Sequence, residues 1–166
     1  MSKLAETEVR MEKTSIERIT APRDLDKMTA WMYAWWGAEE NVSQEAVRAY
    51  LARGLREEGL PQTFGLYRSG ELIGMYQLAR NDLFVRPDLS PWLANVYIPE
   101  EYRGAGYGRM LLASVRENAA KAGLTELYLY TTHTGLYEKY GWEFIEDIDT
   151  YLTPNRQRLY RLTVRR

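Results

Sequence analysis

Residues 92–123 constrain the fold more than any other stretch, because they pass from a strand pattern through three closely spaced glycines into a helix pattern. In the first part Trp92, Ala94, Val96 and Ile98 alternate with Leu93, Asn95 and Tyr97, the period of a strand with two distinct faces. Pro99 lacks the N–H that a ladder needs and ends the strand. From Gly108 onward, Leu111, Leu112, Val115, Ala119 and Ala122 recur at three- and four-residue intervals, and Gly123 is a natural stop. Between the two lies Arg103-Gly104-Ala105-Gly106-Tyr107-Gly108-Arg109.

Such a link suits one kind of ligand. Glycines let main-chain N–H groups approach a ligand closely. The first turn of a helix has N–H groups without intrahelical partners, and the helix dipole favours negative charge there. With Arg103 and Arg109 beside it, the loop makes a cradle for a pyrophosphate. A loop that merely turns the chain is the competing reading, and the loop alone does not separate the two. Spacing does exclude two phosphate motifs. No Lys-Ser/Thr pair follows Gly108, as a Walker A loop requires, and a dinucleotide fingerprint starting at Gly104 would need glycine where Arg109 stands.

The rest of the chain supplies the elements around this core. Residues 14–20 read as a strand. Asp24 is placed to cap a helix with Leu25, Met28, Trp31, Met32 and Trp35 on one side, which Gly37 interrupts. Ser43 starts a second helix with Val47, Tyr50, Leu51 and Leu55 facing inward, closed by Gly59-Leu60-Pro61. Residues 63–67 and 72–78 form a hairpin about Ser69-Gly70, and residues 81–88 loop over the surface. Beyond the organising helix come a strand at 125–130, a short helix at 134–140, and strands at 142–148 and 158–164. The order is β-α-α-β-β-β-α-β-α-β-β, an α/β mixture with antiparallel hairpins and one right-handed crossover around the long helix.

Composition removes several function classes. A chain of 166 residues points to one domain, here 14–166 behind a loose arm at 1–13. Lys plus Arg number 22 against 23 Asp plus Glu, a net charge of -1, so neither nucleic acid nor an anionic membrane is an expected partner. With no cysteine and a single histidine, thiolate and multi-histidine metal sites are excluded, and no metal is expected. No apolar run reaches membrane length and no signal-peptide core opens the chain, so a cytoplasmic location is the expectation.

Two motifs together narrow the reading. The loop has the form Arg-x-x-Gly-x-Gly, and downstream comes Gly135-Leu136-Tyr137-Glu138-Lys139-Tyr140-Gly141-Trp142. In these the chain resembles the GNAT superfamily, the acetyl-CoA-dependent N-acetyltransferases, whose pyrophosphate loop and Leu-Tyr-x-x-x-Gly-Phe signature they match in order and approximate spacing. The resemblance implies a central, mostly antiparallel sheet with splayed strands and flanking helices. It implies acetyl-CoA as co-substrate and direct transfer to a primary amine through a tetrahedral intermediate. Asn95, Val96, Tyr97 and Ile98 would line the cofactor arm, Val96 and Ile98 through main chain, one N–H aimed at the developing oxyanion. Arg103, Gly104, Ala105, Gly106, Tyr107, Gly108 and Arg109 would hold the pyrophosphate. Tyr137 would protonate the departing thiolate, with Tyr140 in its place if the register differs; a phenol near 10 is protonated at neutral pH and able to donate.

Where family members carry an asparagine before that tyrosine that bonds the pantetheine, this chain has Thr131, Thr132 and His133, one of which or none takes its place; the resemblance implies that Thr132, Tyr137 and Tyr140 contact the cofactor. No carboxylate lies between Trp92 and Ile98, so one family position for the general base is empty. His133 is then the expected base, with Asp82, Asp88, Glu39 and Glu40 as loop carboxylates that could border the acceptor. The resemblance places the acceptor against the first two helices, where Trp31, Tyr33, Trp35 and Trp36 precede Glu39-Glu40; aromatics and carboxylates suit a cationic amine, although a Trp/Met stripe also serves as core. Trp36 falls off that stripe. The expected acceptor is a small-molecule amine. A peptide or protein amine, a non-catalytic acyl-CoA-binding module and a purely structural interaction domain are the rivals, and a homodimer is compatible with the family.

Overall fold

Alternating and continuous apolar runs in this sequence become seven strands, and the helical periods become three α-helices, in a computed structural model that describes residues 13–165. The expected arm at 1–13 therefore lies outside the described residues except for Lys13. The strands are β1 (Thr14–Ile19), β2 (Gln62–Arg68), β3 (Glu71–Ala79), β4 (Trp92–Tyr97), β5 (Glu126–Thr131), β6 (Glu143–Asp149) and β7 (Arg156–Thr163). The helices are α1 (Leu25–Met32), α2 (Gln44–Ala52) and α3 (Tyr107–Lys121). The strand order is β1-β2-β3-β4-β5-β7-β6. Pairing is antiparallel at β1/β2, β5/β7 and β6/β7 and parallel at β4/β5, the two strands that α3 connects.

The described residues fall into two compact units, one of residues up to Gln77 with Asn95–Leu111, the other Leu78–Ala94 with the residues from Leu112 onward. In the first, Ile19, Leu25, Met28, Met32, Val47, Leu51, Leu72 and Met75 form the core. The first five residues of β2 are all buried, the signature of a strand covered on both faces. Packing there is tight. A Cβ built on Gly65 would come 2.6 Å from Leu72 and 2.8 Å from Ile19. Gly65→Ala is therefore expected to cost about 1–3 kcal/mol of stability through overpacking, read as a lower urea midpoint at unchanged slope. In the second unit Leu83, Trp92, Ile148 and Leu159 pack together, and Trp92 Nε1 donates to the Leu89 carbonyl at 2.8 Å.

Several local expectations need correction. Ser43 does cap α2, its hydroxyl accepting from the Ala46 amide at 3.1 Å. Asp24 stands at the start of α1 but makes no capping bond; its carboxylate accepts from the Tyr67 hydroxyl at 2.7 Å instead. Gly37 does not break the first helix. The chain continues through a π turn, Tyr33–Gly37, and a Cβ at Gly37 would lie 3.0 Å from Val47, so glycine there permits close packing against α2. Tyr50, expected inward, is 40% exposed, as is Trp35 at 48%. The helix expected at 134–140 shrinks to a 3-10 turn, Tyr137–Tyr140, because Gly135 and Gly141 on either side take left-handed φ of 79° and 87°.

Candidate active site

The glycine loop is built as its sequence demands. A 3-10 turn at Glu100–Tyr102 follows Pro99, and Gly104 and Gly106 then adopt φ of 80° and 89°, values that residues with a Cβ rarely take. The first helical bond of α3 runs from the Met110 amide to the Gly106 carbonyl. The amides of Tyr107, Gly108 and Arg109 thus belong to the first turn, where no carbonyl of the helix precedes them. A Cβ built on Gly104 or Gly106 meets nothing within 4 Å, so the main chain faces open space at both. An open, left-handed loop at the start of a 15-residue helix fits the pyrophosphate of a nucleotide cofactor.

Two arginines fasten this loop. Arg103 donates from Nε to the Ile98 carbonyl at 2.7 Å, and its guanidinium lies 5.7 Å from the Tyr97 ring centre. Its side chain therefore ties the loop to the end of β4. Arg68, which sequence reasoning passed over, donates to the Tyr107 hydroxyl at 3.3 Å and sits over the Tyr102 ring. Tyr107 is buried by that contact, so it offers the site main chain rather than ring. Ala105 and Arg109 are exposed and Gly108 half-buried.

On β4 the expected two-faced alternation fails. Trp92, Leu93 and Ala94 are all buried, and Asn95 takes a φ of 53° in mid-strand. Asparagine tolerates that region better than other residues with a Cβ, and an asparagine inside a strand pattern was the available sequence signal. Its side chain bonds Trp36, Gln77 and Tyr50. Tyr97 lies between Trp31 and Trp35 at 5.6 and 5.5 Å, and Val96 and Ile98 are half-buried.

The second unit holds the signature tyrosine. Tyr137 is 8% exposed, with Trp142 packed edge-on at 6.1 Å and Tyr160 at 6.0 Å. Burial alone pushes its phenol up to about 12. Trp142 completes the Gly-Trp pair as packing, and its Nε1 is the one fully buried side-chain polar atom without a partner among the described residues. Tyr140 is half-buried and Thr132 and His133 are exposed, while the buried Thr131 accepts from the His133 amide at 3.1 Å. Among the carboxylates, Asp88 is held below its ordinary range by hydrogen bonds from Arg86, which leaves it a poor base. Glu40 moves the other way, raised by partial desolvation and then by Glu39. Among the described residues no group of three or more His, Asp or Glu could hold a metal ion, and no helix is long and apolar enough to cross a membrane.

Residues 25–142 match the model of the acetyltransferase (GNAT) family. The chain belongs to that family. Comparison with curated proteins finds no match. Among solved structures, an aminoglycoside 6'-N-acetyltransferase complexed with coenzyme A is similar at a TM-score of 0.70 and 13% identity, over 92% of this chain and 98% of that one. A spermidine N-acetyltransferase chimera from Vibrio cholerae and hSSAT gives a TM-score of 0.72 at 14% identity, over 92% and 96%. A GNAT family acetyltransferase from Elizabethkingia anophelis with acetyl-CoA bound gives 0.61 at 19% identity, over 92% and 99%. At these identities the likeness is one of fold, and it agrees with the mixed, mostly antiparallel sheet expected of a GNAT chain.

Proposed function

We propose that this GNAT acetyltransferase moves the acetyl group of acetyl-CoA directly onto a primary amine of a small molecule. The observation that carries the reading is the left-handed, open loop at Gly104 and Gly106 against the first turn of α3. Acetyl-CoA supplies an activated acyl group. The amides of residues 104–109 hold its pyrophosphate, assisted by Arg109 and Arg103. The main chain of Val96 to Ile98 orients the pantetheine arm, and an N–H there stabilises negative charge on the thioester oxygen. The amine nitrogen adds to the thioester carbon to give a tetrahedral intermediate, whose collapse breaks the carbon–sulfur bond as Tyr137 Oη gives its proton to the sulfur. The amine proton passes to a base, for which Glu40, with its raised proton affinity, and His133 are the side chains on offer.

A small amine is favoured because the near-neutral chain has no charge excess to grip a polyanion, and because the structural neighbours include enzymes named for aminoglycoside and spermidine acetylation. Titration calorimetry with acetyl-CoA, followed by thiol release across a panel of amines, tests the reading. Binding with thiol release for one class of small amine is expected. Binding without release for any amine would leave an acyl-CoA-binding module, and absence of binding would overturn the reading.

A further inference from the structure

Asn95 is where β4 leaves regular strand geometry, and its side chain is engaged at every hydrogen it carries. Nδ2 donates to Gln77 Oε1 at 2.7 Å and to the Tyr50 hydroxyl at 3.0 Å, which uses both amide hydrogens. Oδ1 accepts from Trp36 Nε1 at 3.2 Å. The chain of bonds continues inward, Gln77 Nε2 to Thr63 Oγ1 at 3.0 Å and Thr63 Oγ1 to the Gly54 carbonyl at 3.1 Å. Gln77 and Thr63 are 2% and 1% exposed, so this is a core network rather than a surface one. A Cβ at Gly54 would lie 2.6 Å from both Gln77 Nε2 and Thr63 Oγ1, so the backbone there is close enough to fix the far end. Trp36 stands on the π turn and meets Tyr50 edge-on at 5.8 Å.

These bonds converge on a backbone conformation that costs energy. A residue with a Cβ is disfavoured in the left-handed region, asparagine less than most, and such strain persists only where the surroundings over-determine it. Three side chains from three elements grip the one residue that carries it. The residues that follow are Val96 to Ile98, the main chain assigned above to the acyl donor.

We propose that Asn95 is a positioning residue: gripped by Trp36, Tyr50 and Gln77, it fixes the left-handed turn that sets how the Val96–Ile98 main chain meets the thioester, and it links the π turn and α2 to that strand. The inference rests on the acetyl-CoA reading. Asn95 does not bind the cofactor through its side chain, which is already committed. It acts through the main chain that follows.

Glycine at 95 separates conformation from grip, because it reaches the same φ and makes none of the bonds. With the best amine of the panel, Asn95→Gly lowers kcat by about 10- to 100-fold while the KM for acetyl-CoA stays within about threefold. Trp36→Phe, which removes one bond of the three and keeps a ring, gives a smaller loss in kcat at unchanged KM. The spectroscopic readout is the indole N–H resonances of the five tryptophans, with Trp36 assigned from its Phe variant. Coenzyme A shifts the Trp36 resonance of the wild type and does not shift it in Asn95→Gly, although calorimetry finds similar affinity in both. Coenzyme A that binds by calorimetry and leaves Trp36 unmoved overturns the inference, as does unchanged kcat in Asn95→Gly. If calorimetry finds no coenzyme A binding to the wild type, the acetyl-CoA reading fails and takes the inference with it.

Discussion

Gly106→Glu is expected to abolish acetyl-CoA binding in a protein that still folds. Gly106 has a φ of 89°, so any side chain there carries backbone strain of about 1–2 kcal/mol. Nothing lies within 4 Å of the added Cβ, so the folded chain itself has room for it. The side chain would occupy the space the pyrophosphate needs and bring a negative charge against it. Losing two charge-assisted amide bonds, at about 1.5–3 kcal/mol each, amounts to roughly 10²- to 10⁴-fold in affinity. Gly70→Glu is the matched control. Gly70 has a φ of 80° and equally open surroundings, but it sits in the turn between β2 and β3. Both variants are expected to lose similar thermal stability, and only Gly106→Glu to lose the calorimetric signal. Equal affinity in the two would remove the loop from cofactor binding.

How much of this was legible depended on whether local rules or packing decided each feature. The glycine loop was readable because φ is a single-residue property: two positions needed glycine, and a helix followed at once. Ser43 was readable for the same reason, since a cap is satisfied within three residues. Asp24 satisfied the same local rule and was diverted by a tertiary partner, Tyr67, 43 positions away in sequence. The faces of β4 were misread because periodicity assumes an unbroken strand, and Asn95 breaks it. Once the left-handed residue is seen, its side-chain partners are found on β3, α2 and the π turn, and no spacing in the sequence brings Gln77, Tyr50 and Trp36 together. Arg68 was invisible in the same way, because it reaches the loop through Tyr107, 39 residues on. The signature tyrosine was legible as a motif, while its burial, and hence its acidity, was not.

Tyr137→Phe is expected to lower turnover by about 100-fold or more, the usual contribution of a positioned general acid, with the KM for acetyl-CoA within about threefold. The ring and its packing against Trp142 and Tyr160 survive the change, and only the hydroxyl is lost. The loss of kcat at unchanged KM separates this role from a purely structural one, and the pH dependence bounds the range over which the phenol keeps its proton. Burial holds the phenol near 12 rather than at the free value of about 10, so Tyr137 remains protonated and able to donate throughout the neutral and mildly alkaline range. Its ionisation therefore adds no alkaline limb to kcat between neutrality and about pH 10, and a group that titrates in that window is the base or the amine. Stability gives the complementary sign. Because the phenol's pKa is raised on folding, its contribution is full below the unfolded value of about 10. That contribution is lost as pH rises towards the folded value near 12. The stability of the wild type relative to Tyr137→Phe is thus constant at neutral pH and declines above about pH 10. A variant with wild-type kcat would show that the thiolate takes its proton from another donor, and Tyr137 would then be a core aromatic.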